Sequence, residues 1–177
     1  HSFWVPKLAG KMDIIPGRQN EMWLMAETAG TFFGQCAEFC GIAHANMRFR
    51  VIAQPEEEFV GWVNDQREVP EAPTGLAKRG AEVFISKGCL ACHAIDGTIA
   101  RGTLGPDLTY VGSRTTLAGG ILDNDPGGTN LGRWLRDPEE IKPGNIMSRQ
   151  AAVYRDLSLA LEEEEIGALV AYLQSLK

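Results

Sequence analysis

Cys36-Ala-Glu-Phe-Cys40-Gly-Ile-Ala-His44-Ala-Asn-Met47 and, farther along, Cys89-Leu-Ala-Cys92-His93 are the stretches on which the reading of this chain turns. Together they hold all four cysteines and two of the three histidines found in 177 residues. Little cysteine or histidine is left for ordinary structural duty, so the chain reads as one built around redox metals. Two disulfides would use the same four thiols, but each pair sits beside a histidine, which favours metal or haem chemistry over bridging.

CxxCH has a direct mechanical reading. Two thiols add across the vinyl groups of a haem, and the adjacent histidine reaches the iron from the same loop. Zinc and thioredoxin-like chemistry are the competing readings of CxxC. Thioredoxin chemistry has no use for His93, and zinc would want two further N/S ligands, whereas no cysteine or histidine follows His93. Met147 is the one methionine downstream of residue 47 and is the elimination choice for a sixth iron ligand. A buried core methionine with an open iron position is the alternative. Gly105-Pro106 lies where a carbonyl would orient His93 through Nδ1–H.

The first array offers two thiolates, an imidazole and a thioether, a soft set suited to copper and poorly matched to calcium or magnesium. A single blue-copper site needs one cysteine, so the second thiolate points to a bridged pair of ions. Each ion of such a pair would want an imidazole, and His1 is the remaining histidine. A closed tetrahedral zinc site from Cys36, Cys40, His44 and His1 stays open on spacing alone.

The surrounding pattern divides the chain. Asp13 to Ile52 has β character, with turn punctuation at Pro16-Gly17, short apolar runs such as Glu21 to Ala26, and alternation over Met47 to Ala53. Pro55 followed by Glu56, Glu57 and Glu58 opens a helix whose apolar face is Phe59, Val60, Trp62 and Val63. Arg67 to Thr74 carries two prolines and little to bury, and reads as a linker. The second half is helical: Leu76 to Lys87 stopped by Gly88, a short helix over Asn130 to Arg136 ended by Asp137-Pro138, and a last helix from an N-cap at Ser158 to about Leu176. The glutamates Glu162 to Glu165 read as a solvated helix start rather than a calcium site. The expected domains are therefore 1–66, a 67–74 linker and 75–177.

Charge excludes one class of partner. Residues 1–74 carry six basic and ten acidic groups, and residues 75–177 carry eleven and thirteen. Phosphate binding needs a concentrated basic patch, so nucleic acid is not expected. No apolar run reaches the eighteen or more residues that would span a bilayer, and the first residues lack the charged start and apolar stretch of a signal peptide.

Residues 75–177 resemble the class I cytochrome c family through Gly80, Phe84, Cys89-Leu-Ala-Cys92-His93, Gly105-Pro106-Asp107-Leu108, Lys142-Pro143-Gly144-Asn145-Ile146-Met147 and Tyr172. Many relatives place proline after the ligand methionine, where this chain has Ser148. Residues 1–63 resemble subunit II of haem-copper cytochrome c oxidases. The motifs are His1-Ser-Phe-Trp-Val-Pro, Lys11-Met-Asp13-Ile-Ile-Pro16-Gly17-Arg18 and Gly34-Gln-Cys36 through Met47.

That likeness implies a binuclear CuA site in a cupredoxin domain, with His1, Cys36, the Glu38 carbonyl, Cys40, His44 and Met47 as ligands. It also implies that the Glu38 side chain faces a magnesium site shared with subunit I. The fold class expected is multidomain: an all-β Greek-key cupredoxin sandwich, incomplete at its N-terminus, followed by an all-α cytochrome c domain. A seven-stranded sandwich usually takes about a hundred residues, so the chain reads as the C-terminal part of a longer protein.

The resemblance further implies electron transfer from haem c to CuA and on to the catalytic subunit I. The donor would be a cytochrome bc-type complex or a small cytochrome c. The setting implied is the extracytoplasmic (periplasmic or outer) face of a bacterial cytoplasmic membrane, with membrane association through N-terminal helices and partner subunits. The rival expectations are a nitric-oxide reductase using the same copper centre and a soluble haem c carrier with a structural zinc.

Overall fold

The computed structural model describes residues 1–177. The first region is one antiparallel sheet of order β2-β1-β3-β4. Its strands are β1 (Ser2–Trp4), β2 (Lys11–Asp13), β3 (Gly30–Cys36) and β4 (Arg48–Ala53). β3 and β4 pair from Gly30↔Ala53 to Gln35↔Arg48, so the ends of both strands meet at the Cys36–Met47 loop. β1 lies on the other side of β3, with Phe3 opposite Cys36. That register delivers residue 1 to the same loop. Phe3 and Phe49 stack on one face with centroids 4.8 Å apart. This is the β region expected of a cupredoxin-type domain.

The apolar run at Glu21 to Ala26 forms no strand. A strand needs a neighbour to take its N–H and C=O groups. None runs beside this segment, and Trp23 is 94% exposed. α1 (Glu56–Asp65) starts after Pro55 with three acids in its first turn. Its apolar face is only half covered, and none of its residues is buried.

The helical region is organised by the crossing of α2 (Gly75–Ser86) and α6 (Glu163–Ser175). Gly80 makes the crossing close, because a Cβ there would collide with the Ala168 carbonyl. Phe84 meets Tyr172 edge-on at 5.9 Å. A cluster of 13 buried apolar side chains, from Val83 to Leu176, fills the space between these helices and α3 (Thr129–Arg136). α4 (Pro138–Ile141) is capped by Asp137, which accepts from the Glu139 and Glu140 amides, and α5 (Ile146–Gln150) by Asn145. A small hairpin, β5 (Thr116–Leu117) and β6 (Leu122–Asp123), projects between α2 and α3 in sequence.

The last helix starts later than the Ser158 expectation. Ser158 is itself held by Asp156 in a short 3₁₀ turn, and the α-helix begins at Glu163. The capping box Glu162…Glu165 outcompetes the serine, because it satisfies two orphan amides at once. Residues 67–74 are laid along the helical region. Tyr110 Oη lies 2.7 Å from the Gln66 carbonyl and 2.9 Å from that of Glu68, and Val69 packs on Gly97. No helix is long and apolar enough to cross a membrane.

Candidate metal centres

Eleven residues separate the end of β3 from the start of β4, and they carry most of the first donor set. The loop is closed at its base by Cys36 N–H donating to the Met47 carbonyl at 2.9 Å. Gly41, at φ 115, makes the turn that lets His44 N–H reach the Gly41 carbonyl at 3.0 Å. Ala37 N–H donates to the Ser2 carbonyl at 2.9 Å, which ties the first residues to the loop.

The side chains then converge. Cys36 Sγ lies 3.8 Å from Cys40 Sγ, 3.8 Å from His1 Nδ1 and 3.1 Å from the Glu38 carbonyl. Cys40 Sγ lies 3.6 Å from His44 Nδ1 and 3.8 Å from Met47 Sδ. The ligand atoms of His1, Cys36 and Cys40 fall within 4.8 Å of one another. Both cysteines are free thiols.

This donor set fits a pair of soft metal ions. It offers five side-chain donors and a carbonyl, more than one tetrahedral ion takes, and two sulfurs stand at the centre with an imidazole on each side. Burial works against ionisation of the Cys36 thiol. Hydrogen bonds from the Glu38 and Ser2 backbone and from Cys40 and His44 outweigh it and bring the thiol to about 7. Burial, reinforced by the neighbouring Cys36 thiolate, pushes Cys40 up. One thiolate therefore forms readily and the second waits for a cation to offset the repulsion.

The second array sits at the end of α2. Gly88, at φ 75, stops the helix, and Cys89–Ala91 forms a single 3₁₀ turn. His93 N–H donates back to the Cys89 carbonyl at 3.1 Å, so the two thiols and the imidazole share one compact turn. His93 Nδ1 donates to the Pro106 carbonyl at 2.7 Å, which leaves Nε2 free as a ligand atom. Gly105 lets the ring lie flat against the backbone, since a Cβ there would be 2.5 Å from His93 Cε1. Burial pushes the Cys89 thiol up to about 11. Cys89, Leu90, Leu108 and Met147 are half-buried on the same apolar core. The thiols, the free imidazole nitrogen and this apolar bed fit a covalently held haem.

The Met147 loop is set by Asn145 and Ser148, at and beside the quoted motif, and by Glu139, which no motif contains. The Asn145 side chain is buried; it donates to the carbonyls of Pro138 and Lys142 at 2.8 and 2.9 Å and accepts from Ser148 N–H at 2.8 Å. Glu139 accepts from Gly144 N–H at 2.8 Å and from Ser148 Oγ at 2.5 Å. Both Ser148 groups are thus in use, where a proline would supply neither. The sequence signal for Asn145 was present, since asparagine three residues before a capped amide is an ordinary helix start. Glu139 left no such signal, because its role depends on the fold of the loop.

Comparison with known proteins agrees with this division. Residues 1–54 match the family model for the periplasmic domain of cytochrome c oxidase subunit II, and residues 77–177 match that for cytochrome c. Cytochrome c oxidase subunit 2 of Alkalihalophilus pseudofirmus is 46% identical over 179 residues, covering all of this chain and 48% of that protein. The Bacillus subtilis subunit 2 is 38% identical over 187 residues, again covering all of this chain and 50% of that protein. In Cereibacter sphaeroides the likeness to subunit 2 is 39% over 85 residues and covers 44% of this chain. The chain spans about half the length of the whole-chain relatives. A β region ending in a Cys/His/Met loop, joined to a helical region opening on CxxCH, places the chain in the cytochrome c oxidase subunit II family, in the form that carries a cytochrome c domain behind its periplasmic domain.

Proposed function

We propose that this chain is the electron-relay portion of an oxidase subunit II. It would take electrons onto haem c, pass them to a binuclear CuA centre and deliver them to the catalytic haem-copper subunit I. The convergence of two free thiols, two imidazoles and a thioether at separations of 3.6–3.8 Å carries the reading. Bound there, the copper pair and the haem iron each supply a one-electron couple.

The chain's own residues hold and shape those groups. Cys36, Cys40, His1, His44, Met47 and the Glu38 carbonyl would together hold the coppers, the two thiolates supplying the soft donors at the centre of the set. Because β1, β3 and β4 fix the donors by backbone pairing, the loop need not rearrange when charge changes. Cys89 and Cys92 would hold the haem covalently, and His93 and Met147 would ligate its iron. The Pro106 carbonyl holds the His93 ring, and Asn145 with Glu139 holds the Met147 loop. With His93 and Met147 both given to the iron, this chain would relay electrons and would not itself bind oxygen. The Glu38 side chain would serve a magnesium ion at the boundary with subunit I.

The domains are 1–66 for copper and 75–177 for haem, joined by 67–74. The subunit works at the extracytoplasmic face of a bacterial membrane, in complex with subunit I and other oxidase subunits. Its donor is a cytochrome bc-type complex or a small cytochrome c. Metal analysis of the intact protein tests the reading, with a copper pair and a mixed-valence signal expected for each haem. One zinc for each haem would overturn it.

A further inference from the structure

The apolar core of the helical region contains no residue before Val83, so the two regions are not welded by a shared hydrophobic interior. What joins them near the metal loops is a polar contact at the tip of the β5–β6 hairpin. Ala118, Gly119 and Gly120 are consecutive left-handed residues, at φ 55, 76 and 76, and Ala118 is the one non-glycine residue of the chain in that region. Each of their carbonyls accepts from a different donor. Lys142 Nζ donates to Ala118 O at 3.2 Å, Arg48 N–H to Gly119 O at 2.9 Å, and an Arg50 guanidinium N–H to Gly120 O at 3.2 Å.

The donors come from both sides of the boundary. Arg48 follows Met47, and Arg50 lies two residues on in β4 with its guanidinium 4.3 Å over the Phe33 ring. Lys142 opens the loop that leads to Met147. The two metal loops also touch directly, because a Cβ on Gly144 would lie 2.6 Å from Ile42 Cβ, and Ile42 sits between Cys40 and His44. An L-residue at positive φ is held only where its surroundings over-determine it. Here the strained turn aims two carbonyls, those of Gly119 and Gly120, across the seam, and a third, that of Ala118, at Lys142 beside the Met147 loop.

We infer that the 118–120 turn is a clasp that holds the Met147 loop against the Cys36–Met47 loop, with Arg50 and Lys142 as its positioning residues. This rests on the relay reading above, for which the spacing of the two centres matters. Loss of one clasp donor leaves both donor sets intact and lets the regions move apart.

The test uses the intact protein loaded with both cofactors, as wild type, Arg50→Ala, Lys142→Ala and Arg50→Lys. Amide hydrogen exchange at Arg48 reads the clasp directly. A hydrogen bond from a charged donor is worth about tenfold in an equilibrium, so Arg48 exchange should rise about tenfold in each alanine variant. Amides inside α2 and α6 should keep their wild-type protection, and Arg50→Lys should recover most of the loss.

The second readout is the rate at which one electron leaves ferrous haem and enters the oxidised copper centre, with no proton or atom transferred. That rate should fall in both alanine variants, and in Arg50→Ala both optical spectra and both midpoint potentials should stay at wild-type values. Unchanged Arg48 exchange in both alanine variants overturns the clasp, as does an unchanged electron rate once protection is lost. Failure of the relay reading looks different, because the wild type itself would then lack the copper signal or the transfer. Gly120→Ala is the independent variant should Arg50→Ala fail to fold. Its Cβ would lie 3.1 Å from the Arg48 carbonyl, and it must reproduce the rise in Arg48 exchange.

Discussion

In the helical region the Cys89–His93 turn and Met147 rest on thirteen buried apolar side chains, whereas in the β region Val5 and Cys36 are the only buried hydrophobic residues. One set of donors is therefore positioned by packing and the other by backbone pairing, loop hydrogen bonds and the clasp. Packing tolerates lost polar contacts but not lost volume, and a loop held by register tolerates the reverse. Substitutions should consequently sort by region, and the sorting is open to measurement.

The largest effect is all-or-none. Cys36→Ala removes the sulfur closest to His1, Cys40 and the Glu38 carbonyl at once, so copper content should drop to background. Haem content and helix stability should stay at wild-type values, because no core residue of the helical region touches that sulfur. Metal analysis beside the haem spectrum checks both halves of the statement. Loss of haem along with copper would break the comparison.

Leu169→Ala is the mirror image. Leu169 is 1% exposed at the α2–α6 crossing, and truncating such a side chain leaves a cavity that costs about 3–5 kcal/mol. Urea unfolding followed by helical circular dichroism should show the loss. Exchange of the β3–β4 amides from Thr31 to Gln35 should be untouched.

The same contrast explains how far the sequence could be read. The two Cys/His arrays were legible because their chemistry is local: five or twelve residues suffice to place thiols and an imidazole on one loop. β4 and α2 were legible from period and from the stops at Pro55 and Gly88. The run at Glu21 to Ala26 misled, since strand character depends on a neighbour that composition does not reveal. Ser158 misled because a capping box four residues later competes better for the same amides. Arg50, Lys142 and the 118–120 turn carry no local signature. Their role comes from a contact between residues some seventy positions apart.

pH should pull the two regions in opposite directions in the metal-free, haem-free chain. Cys36 ionises at about 7 when folded, against 9.0 for a free thiol. Between those values the unfolded chain holds more protons at Cys36, so the β region gains stability from pH 7 to 9, and the raised Cys40 thiol reverses that trend above 9.0. Cys89 is held up to about 11 by burial, so above 9.0 the folded helical region holds the extra proton and loses stability as pH climbs. The Cys89 effect should reach about 2 kcal/mol between those limits. Region-resolved hydrogen exchange separates the two, the β region read between pH 7 and 9 and the helical region between pH 9 and 10, and a β region that loses stability from pH 7 to 9 would remove the distinction.

The smallest effects lie at the start of α6, where two ion pairs differ mainly in exposure. Lys87 and Glu165 pair at 2.8 Å with side chains 16% and 21% exposed, and Glu165 also accepts from Glu162 N–H at 2.9 Å. Glu165→Gln keeps the cap acceptor but removes the charge, which should cost about 1 kcal/mol in thermal unfolding. Arg79 and Glu164 pair at 3.4 Å with side chains 57% and 80% exposed. Water competes fully for that pair, so Arg79→Ala should stay within about 0.5 kcal/mol of wild type. A larger loss for Arg79 than for Glu165 would mean that charge, rather than volume, organises the helical region, and would bring its physics closer to that of the copper loop.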